Sequence, residues 1–312
     1  MKFGLKGEFQ FLVKDAKTDE VKRKLKFQNL ILDCGLDGIG FAWSMFEKCA
    51  VGTNNSPPSA SDSSLKQWHA DSNAATGYVK TAPDPNDGYK FSISTTYRFN
   101  KGAITAAISE VGIHSSNNIQ GEKRYFCRAI IKDEYGNPST VTVLPNEYLD
   151  VVYTLFVIPD LNDTVSTFTM NGVQYTATIR PANIQTWEFS GGQGAGSGTL
   201  RPVAKINEVY YNANAALGAI TGGPSTTKTT LHNIVNYQEE DYIAGTYYAD
   251  TVVTLGLNYG SEPIKACIIK NVNTSNPMCL STTPCQCVFN TPLPKDSTTE
   301  IALTIRRSWA RA

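Results

Sequence analysis

The most constraining feature of the chain is a period-two alternation of apolar and polar residues. It occurs in GEFQFLVK, where Phe9, Phe11 and Val13 occupy every second position, and again in VVYTLFV (151–157) and TVVTLGLNY (251–259). Because successive side chains of a β-strand point to opposite faces of the sheet, this period is typical of half-buried strands. The sequence therefore predicts an all-β fold built from antiparallel sheets.

Local signals add two hairpins and one helix. Asn171-Gly172 lies between STFTM and VQYTATI, and a charged tip, KDAKTDE, lies between FQFLV and VKRKLKFQ. Asn-Gly pairs suit the left-handed positions of tight hairpin turns. Helical spacing occurs only at 37–48, where Ile39, Trp43 and Phe46 share one face. We expect a short helix there, with Asp37 as its N-cap.

The order of motifs repeats in the two halves of the chain. Each half has an opening hairpin, an alternating strand, a glycine turn, an apolar strand (ISEVGIHS and KACIIKNV), a cysteine-bearing strand (FCRAI and CQCVF) and a closing strand. Repeated order indicates a duplicated unit. We therefore predict two tandem β-sandwich domains, at 1–162 and 163–312, and the glycine-rich stretch 190–198 reads as a flexible loop.

Charge and hydropathy exclude two classes of partner. The chain of 312 residues has 28 Lys and Arg against 28 Asp and Glu. A protein that binds the phosphate backbone of nucleic acid normally has a basic surface. No apolar run approaches the roughly 20 residues that cross a bilayer, and the first 15 residues alternate instead of forming a signal peptide. We expect no nucleic acid partner, no membrane insertion and synthesis in the cytoplasm.

The cysteines give no sign of a disulfide framework or a metal site. Seven is an odd number in a chain large enough to bury a core, so free thiols are expected. Cys279, Cys285 and Cys287 are close together, but their gaps differ from the two-residue gap of a zinc knuckle and no histidine lies nearby. The sequence predicts no metal and no cofactor.

Candidate catalytic groups all have a simpler structural interpretation. Asp84 and Asp87 lie in PDPNDG, which is typical of a turn and lacks the acidic ladder of a calcium loop. Ser109 and His114 fall on opposite faces of one strand, so with Glu110 they form no triad. We therefore predict no enzymatic activity and no catalytic residue.

Two groups of residues have predicted structural or binding roles. Turns and close backbone approaches are expected at Gly35, Gly38, Gly112, Gly136, Asn137 and Pro138. A contact surface for carbohydrate or protein is predicted at Tyr210, Tyr211, Asn212 and Asn214, since flat rings supply area and amides supply adaptable hydrogen bonds. The alternative is that these tyrosines fill the β core.

Five segments together resemble a group of tailed-bacteriophage virion proteins described as tail fibre or tail appendage proteins. The segments are QNLILDCGLDGIG, VGTNNSPPSASDSSL, ISEVGIHSS, FCRAIIKDEYGNPSTVTVLPNEYLDVVYTLFV and LPKDSTTEIALTIRRSWAR. They cover about the first 160 residues and the last 25 of the chain. One departure is VGTNN, where Asn54 replaces the usual second glycine; asparagine also tolerates a left-handed backbone.

The resemblance implies a structural protein of the virion. Its partners would be copies of itself and other virion proteins, with a glycan or protein of the host surface as a further contact. A tail fibre, tail tip or other appendage is the role we expect, as a trimer in a fibre or a ring in a collar. The alternatives are a capsid decoration, collar or head–tail adaptor protein, and a tail-associated glycan depolymerase.

Overall fold

The structure is a computed structural model that describes residues 1–73, 78–115, 124–187, 189, 202–225, 230–231, 236–258, 261–271 and 283–312. The predicted loop at 190–198 and Cys279 lie outside these residues. The strands of the first half are β1 (Lys2–Asp15), β2 (Val21–Gln28), β3 (Leu30–Ile31), β4 (Lys48–Gly52), β5 (Trp68–Asn73), β6 (Val79–Asp84), β7 (Lys90–Phe99), β8 (Glu110–His114), β9 (Tyr125–Ile130) and β10 (Glu147–Pro159). The strands of the second half are β11 (Thr164–Met170), β12 (Val173–Pro181), β13 (Ala204–Tyr210), β14 (Thr230–Leu231), β15 (Tyr237–Glu239), β16 (Tyr248–Leu255), β17 (Ile264–Asn271), β18 (Cys285–Leu293) and β19 (Ile301–Arg311).

The strands form three sheets, and the predicted all-β fold is confirmed. An eight-stranded sheet has the order β15-β16-β19-β1-β10-β7-β6, with β2 also paired to β1. A six-stranded sheet has the order β11-β12-β18-β17-β13-β14, and a five-stranded sheet has the order β3-β9-β8-β4-β5. All described pairings are antiparallel except that of β1 with β19. The one described α-helix, α1, spans Asp33–Gly40.

Two apolar clusters lie between these sheets. The larger joins inward residues of β1, β7 and β10, such as Phe9 and Val151, to residues of β4, β8 and β9, such as Val51 and Phe126. The smaller joins β16 and β19 to the six-stranded sheet. Residues at every second position of β1 are buried, from Phe3 to Val13, as the alternation predicts. The eight-stranded sheet therefore supplies one wall of both cores.

The eight-stranded sheet contains strands from both predicted domains. Lys2 to Leu5 of β1 pair in parallel with Ser308 to Arg311 of β19, and the amino group of Met1 donates to the Arg306 carbonyl at 3.2 Å. Backbone hydrogen bonds thus cross the boundary placed at residue 162. The division into 1–162 and 163–312, and the duplication on which it depends, stay predictions.

The helix differs from the one expected at 37–48, because it begins at Asp33 and ends at Gly40. Ala42 adopts a positive φ of 57°, and the amides of Ala42 and Trp43 donate to the carbonyls of Ile39 and Gly38. This is the Schellman arrangement, which ends a helix. Trp43 and Phe46 therefore lie beyond the helix, and their spacing reflects packing instead of helical periodicity.

Asp37 is also not the N-cap, which is Leu32. Asp37 lies inside the helix, and its Oδ1 accepts hydrogen bonds from the Tyr242 hydroxyl and the Gly245 amide, each at 2.7 Å. Burial, followed by the hydrogen bond to Asp37, raises the pKa of Tyr242 well above its ordinary value. The Tyr242 ring also stacks on Trp309. The hydrogen bonds to Asp37 join the 241–247 loop to α1.

We expect Tyr242→Phe to lower the free energy of unfolding by about 1.5–3 kcal/mol, the usual range for a hydrogen bond to a charged group. The ring stays, so its packing is retained and only the hydroxyl contact is lost. Urea unfolding followed by tryptophan fluorescence measures the change. Tyr135→Phe, at a fully solvated ring in a turn, is the control and should leave the midpoint unchanged. Equal effects in both variants would contradict the role given to Asp37.

The hairpin predicted at Asn171-Gly172 is confirmed. Met170 pairs with Val173 across the two-residue turn, and φ is 51° at Asn171 and 76° at Gly172. Positive φ at both central residues defines a type I′ turn, whose twist suits a two-residue hairpin. The hairpin fixes the register of β11 on β12.

Candidate interaction site

One of the residues weighed as catalytic candidates, Glu110, pairs with a buried arginine. Arg128, in the middle of the apolar strand β9, is fully buried. Its Nε donates to Glu110 Oε2 at 2.7 Å and its Nη1 donates to Asp62 Oδ2 at 2.8 Å. Its Nη2 donates to the Ser56 carbonyl at 2.9 Å. A charge on an otherwise apolar strand, YFCRAI, was the sequence signal for this centre, and sequence reasoning missed it.

The two carboxylates around Arg128 are also occupied by other donors. Glu110 accepts from the amides of Lys66 and Gln67, and Asp62 accepts from the Ser59 amide and Lys66 Nζ. The centre therefore ties the 53–67 loop to the five-stranded sheet. Because these oxygens are engaged in protein contacts, the arrangement suits a structural role.

The Arg128 centre should make the protein sensitive to acid. Burial raises the pKa of Asp62, but hydrogen bonds from Lys66, Ser59 and Arg128 outweigh it and hold the pKa below its ordinary value. A carboxyl group whose pKa is lower in the folded state than in the unfolded state stabilises the fold fully above its unfolded pKa, about 3.9. This stability is lost as the pH falls through the pKa of the folded state.

We therefore expect the free energy of unfolding of the wild type to fall as pH drops below about 4. The Asp62→Asn variant should be less stable at pH 7. Below about pH 4 its free energy of unfolding should depend less steeply on pH than that of the wild type, by up to about 1.4 kcal/mol per pH unit. Urea titrations at pH 3 to 7 give both curves. If the free energies of unfolding of the two proteins changed in parallel with pH, the role given to Asp62 would be contradicted.

The cysteines are free thiols wherever the structure describes them. Cys267 of β17 lies directly opposite Cys287 of β18, and a hydrogen bond to Cys287, followed by burial, raises the pKa of Cys267 well above its ordinary value. Cys285 is likewise buried, and burial raises its pKa. Within the described ranges, no group of His, Cys, Asp and Glu side chains could hold a metal ion.

An apolar groove of about 620 Å³ lies between the six-stranded sheet and β19. Its floor contains Ile206, Cys267, Ile269, Cys287 and Phe289. Phe168 and Met170 of β11 form one wall, Leu303 and Ile305 of β19 form the other, and Met1 lies at the rim. Because the smaller core lines the groove, its surface is mainly apolar.

The β19 wall of the groove has an unpaired backbone edge. β16 pairs with one edge of β19 from Ile301 to Ser308, but β1 pairs with the other edge only from Ser308 onward. The Ser308 amide donates to the Met1 carbonyl, so the even-numbered residues of β19 point toward β1. The backbone groups of Ala302 and Thr304 therefore face the groove beyond the end of β1, where the described residues provide no strand partner.

The β11 wall has a second open edge. Among the described strands, β11 pairs with β12 alone and is the edge strand of the six-stranded sheet. In a two-residue hairpin the residues flanking the turn form a hydrogen-bonded pair, and such pairs recur at every second position. The N–H and C=O groups of Val165, Thr167 and Thr169 therefore point away from β12.

The predicted contact surface is only partly at the surface. Tyr210 must be removed from it, because the residue is 5% exposed, belongs to a small core cluster and donates its hydroxyl to Glu208 at 2.9 Å. Tyr211 and Asn212 are half-buried and Asn214 is exposed. The Asn212 side chain accepts from the Asn214 amide, which shapes a turn. A contact role for Tyr211, Asn212 and Asn214 stays a prediction.

The residues expected at turns and close approaches lie in two settings. At Gly35, Gly38 and Gly112 an added Cβ would come within 2.9 Å of an atom of another residue. Gly136 has φ of 85°, in a turn where Asp133 accepts from the amides of Tyr135 and Asn137. Pro138 follows in an isolated bridge to Lys132.

No protein-family model, curated protein or solved structure matches this chain. Among the residues described, no helix combines the length and apolar character needed to cross a bilayer.

Proposed function

We propose that this chain is a non-enzymatic structural component of a tailed-bacteriophage virion, in a tail fibre, tail tip or other appendage. The observation that carries the proposal is the apolar groove flanked by the open edges of β11 and β19. Adding a strand to an open edge gives affinity through main-chain hydrogen bonds, and an adjacent apolar surface adds burial. The motif resemblance across about the first 160 and last 25 residues supports the same role.

The partners that this role requires are further copies of the chain and other virion proteins. The occupied carboxylates around Arg128 support a structural role, since those acidic groups are engaged in holding a loop. Contact with a glycan or protein of the host surface belongs to the same proposal, and the partly exposed turn at Tyr211, Asn212 and Asn214 is the place we assign to it.

The experiment is to find the protein in purified phage particles. Antibodies raised against the recombinant chain should label particles at the tail in electron microscopy, and mass spectrometry of washed particles should detect its peptides. Antibodies absorbed with the purified chain are the control and should not label. Peptides found in the lysate but absent from washed particles would overturn the proposal, and labelling confined to the capsid would reassign the chain to a decoration or collar.

A further inference from the structure

The edges of the described sheets are protected in different ways. β2 has four basic residues, and β6 contains Pro83 and a register shift. β3 and β14 have two residues each, β15 has three, and the β4–β5 pairing has a register shift. Charges, proline, irregular register and short length are the usual means of preventing an edge from pairing with another chain.

β11 has none of these protections. It has seven residues, TVSTFTM, without a charge or a proline, and its register with β12 is unbroken from Thr164 to Met170. Threonine, valine and phenylalanine favour strands. Its outward-facing Val165 is 62% exposed. A strand with an exposed and regular edge of this kind is suited to pairing with a strand of another chain.

We propose that β11 pairs antiparallel with β11 of a second copy of this chain across a two-fold axis at Thr167. The proposal rests on the proposed function and names the surface through which two copies pair, as a two-fold dimer instead of the trimer or ring expected from the sequence. β11 is self-complementary because it has no ionisable side chain, so an antiparallel copy opposes no like charges. A two-fold interface requires one surface to complement itself in this way.

The register follows from the direction of the backbone groups. The N–H and C=O of Val165, Thr167 and Thr169 point outward, so these residues form the hydrogen-bonded pairs. With the axis at Thr167, Thr167 lies opposite its own copy and Val165 lies opposite Thr169 of the second copy. These three pairs each exchange two backbone hydrogen bonds, and the two six-stranded sheets become continuous.

The same pairing enlarges the apolar face that β11 shares with the groove. Phe168 and Met170 are on the face of β11 that packs on the smaller core, and Ser166 shares that face. In the second copy these side chains point to the same side of the continuous sheet, because residues paired across strands share a face. Phe168 and Met170 of the second copy therefore extend the apolar face of the six-stranded sheet beyond β11.

The first test is the oligomeric state by size-exclusion chromatography with light scattering. The wild type should have twice the chain mass of 34.0 kDa. Thr167→Lys places two ammonium groups opposite each other and should weaken the dimer by about 100-fold. Val79→Lys, on the equally exposed edge of β6, is the matched control and should remain dimeric. Thr167 is exposed, so circular dichroism should show both variants folded.

The second test fixes the register by oxidising single cysteine variants. In a hydrogen-bonded pair the Cα atoms are about 5.5 Å apart, within the range of a disulfide, so Thr167→Cys should form a covalent dimer. Val165→Cys should not, because the two copies of residue 165 are about 14 Å apart along the strand. The wild type controls for the native cysteines.

A monomeric wild type, or a dimer that persists in Thr167→Lys, would overturn the pairing. A covalent dimer from Val165→Cys instead of Thr167→Cys would overturn the register. These outcomes are separate from those for the proposed function. Detection in tail particles with a monomeric chain would remove only the pairing, whereas a dimer that is absent from particles would remove only the virion role.

Discussion

Arg128→Met should lower the free energy of unfolding by about 3–5 kcal/mol, the largest effect that we expect from one substitution. Methionine fills similar space, but Glu110 and Asp62 then lose the charge that both face in the interior. A buried carboxylate without its partner is costly because little solvent reaches it. The backbone carbonyls of Ser56 and Pro57 lose their donor as well.

The measurement is urea unfolding at pH 7, with limited proteolysis of the 53–67 loop as a second readout. Arg306→Met is the control, because Arg306 also pairs with an aspartate, Asp250, but its side chain is 57% exposed. Exposed ion pairs contribute about 0–1 kcal/mol. If the two variants lost similar stability, the Arg128 centre would not be the anchor that its burial indicates.

Gly35→Ala has the second largest expected effect. An added Cβ would lie 2.1 Å from the Phe126 carbonyl oxygen and 2.8 Å from two more Phe126 backbone atoms. Backbone cannot rotate aside as a side chain does, so α1 must move away from β9. The hydrogen bond from the Leu32 amide to the same Phe126 carbonyl would be strained as well.

Insertion of a methyl group into packed interior typically costs 1–3 kcal/mol, and we expect about 3 kcal/mol here because the obstacle is backbone. Gly222→Ala is the matched control: the nearest atom to its added Cβ is 3.8 Å away, so its stability should change by less than about 1 kcal/mol. The midpoints of thermal unfolding of the two variants compare their losses of stability. A wild-type midpoint for Gly35→Ala would show that α1 is not packed this closely on β9.

Local patterns predicted those parts of the fold that depend on neighbouring residues. The alternation around Phe9, Val151 and Val252 corresponds to β1, β10 and β16, and Asn171-Gly172 corresponds to a type I′ turn. The helix was misplaced because Trp43 and Phe46 have helical spacing but are held by aromatic partners; Trp43 stacks on Phe41 and Phe46 packs on Phe126. Tertiary packing therefore produced a pattern that imitated a helix.

The groove could not be predicted, because it arises from strand order. Nothing local to IALTIRRSW indicates that β1 covers only the last part of β19. The core position of Tyr210 depends in the same way on strand order, because the pairing of β13 with β17 places Tyr210 opposite Ala266. The charge inside YFCRAI was the one sequence signal that pointed to a buried centre, because a buried arginine requires acidic partners.

The pairing of β1 with β19 has a consequence for the order in which the chain folds. The two strands are joined by hydrogen bonds between residues 305 positions apart, so the ribosome must release β19 before the edge of β1 at Lys2 to Leu5 can be closed. Contacts of such long range slow folding. A nascent chain still lacking β19 presents that edge to other nascent chains, so the pairing of β19 with β1 ends its exposure to misassembly.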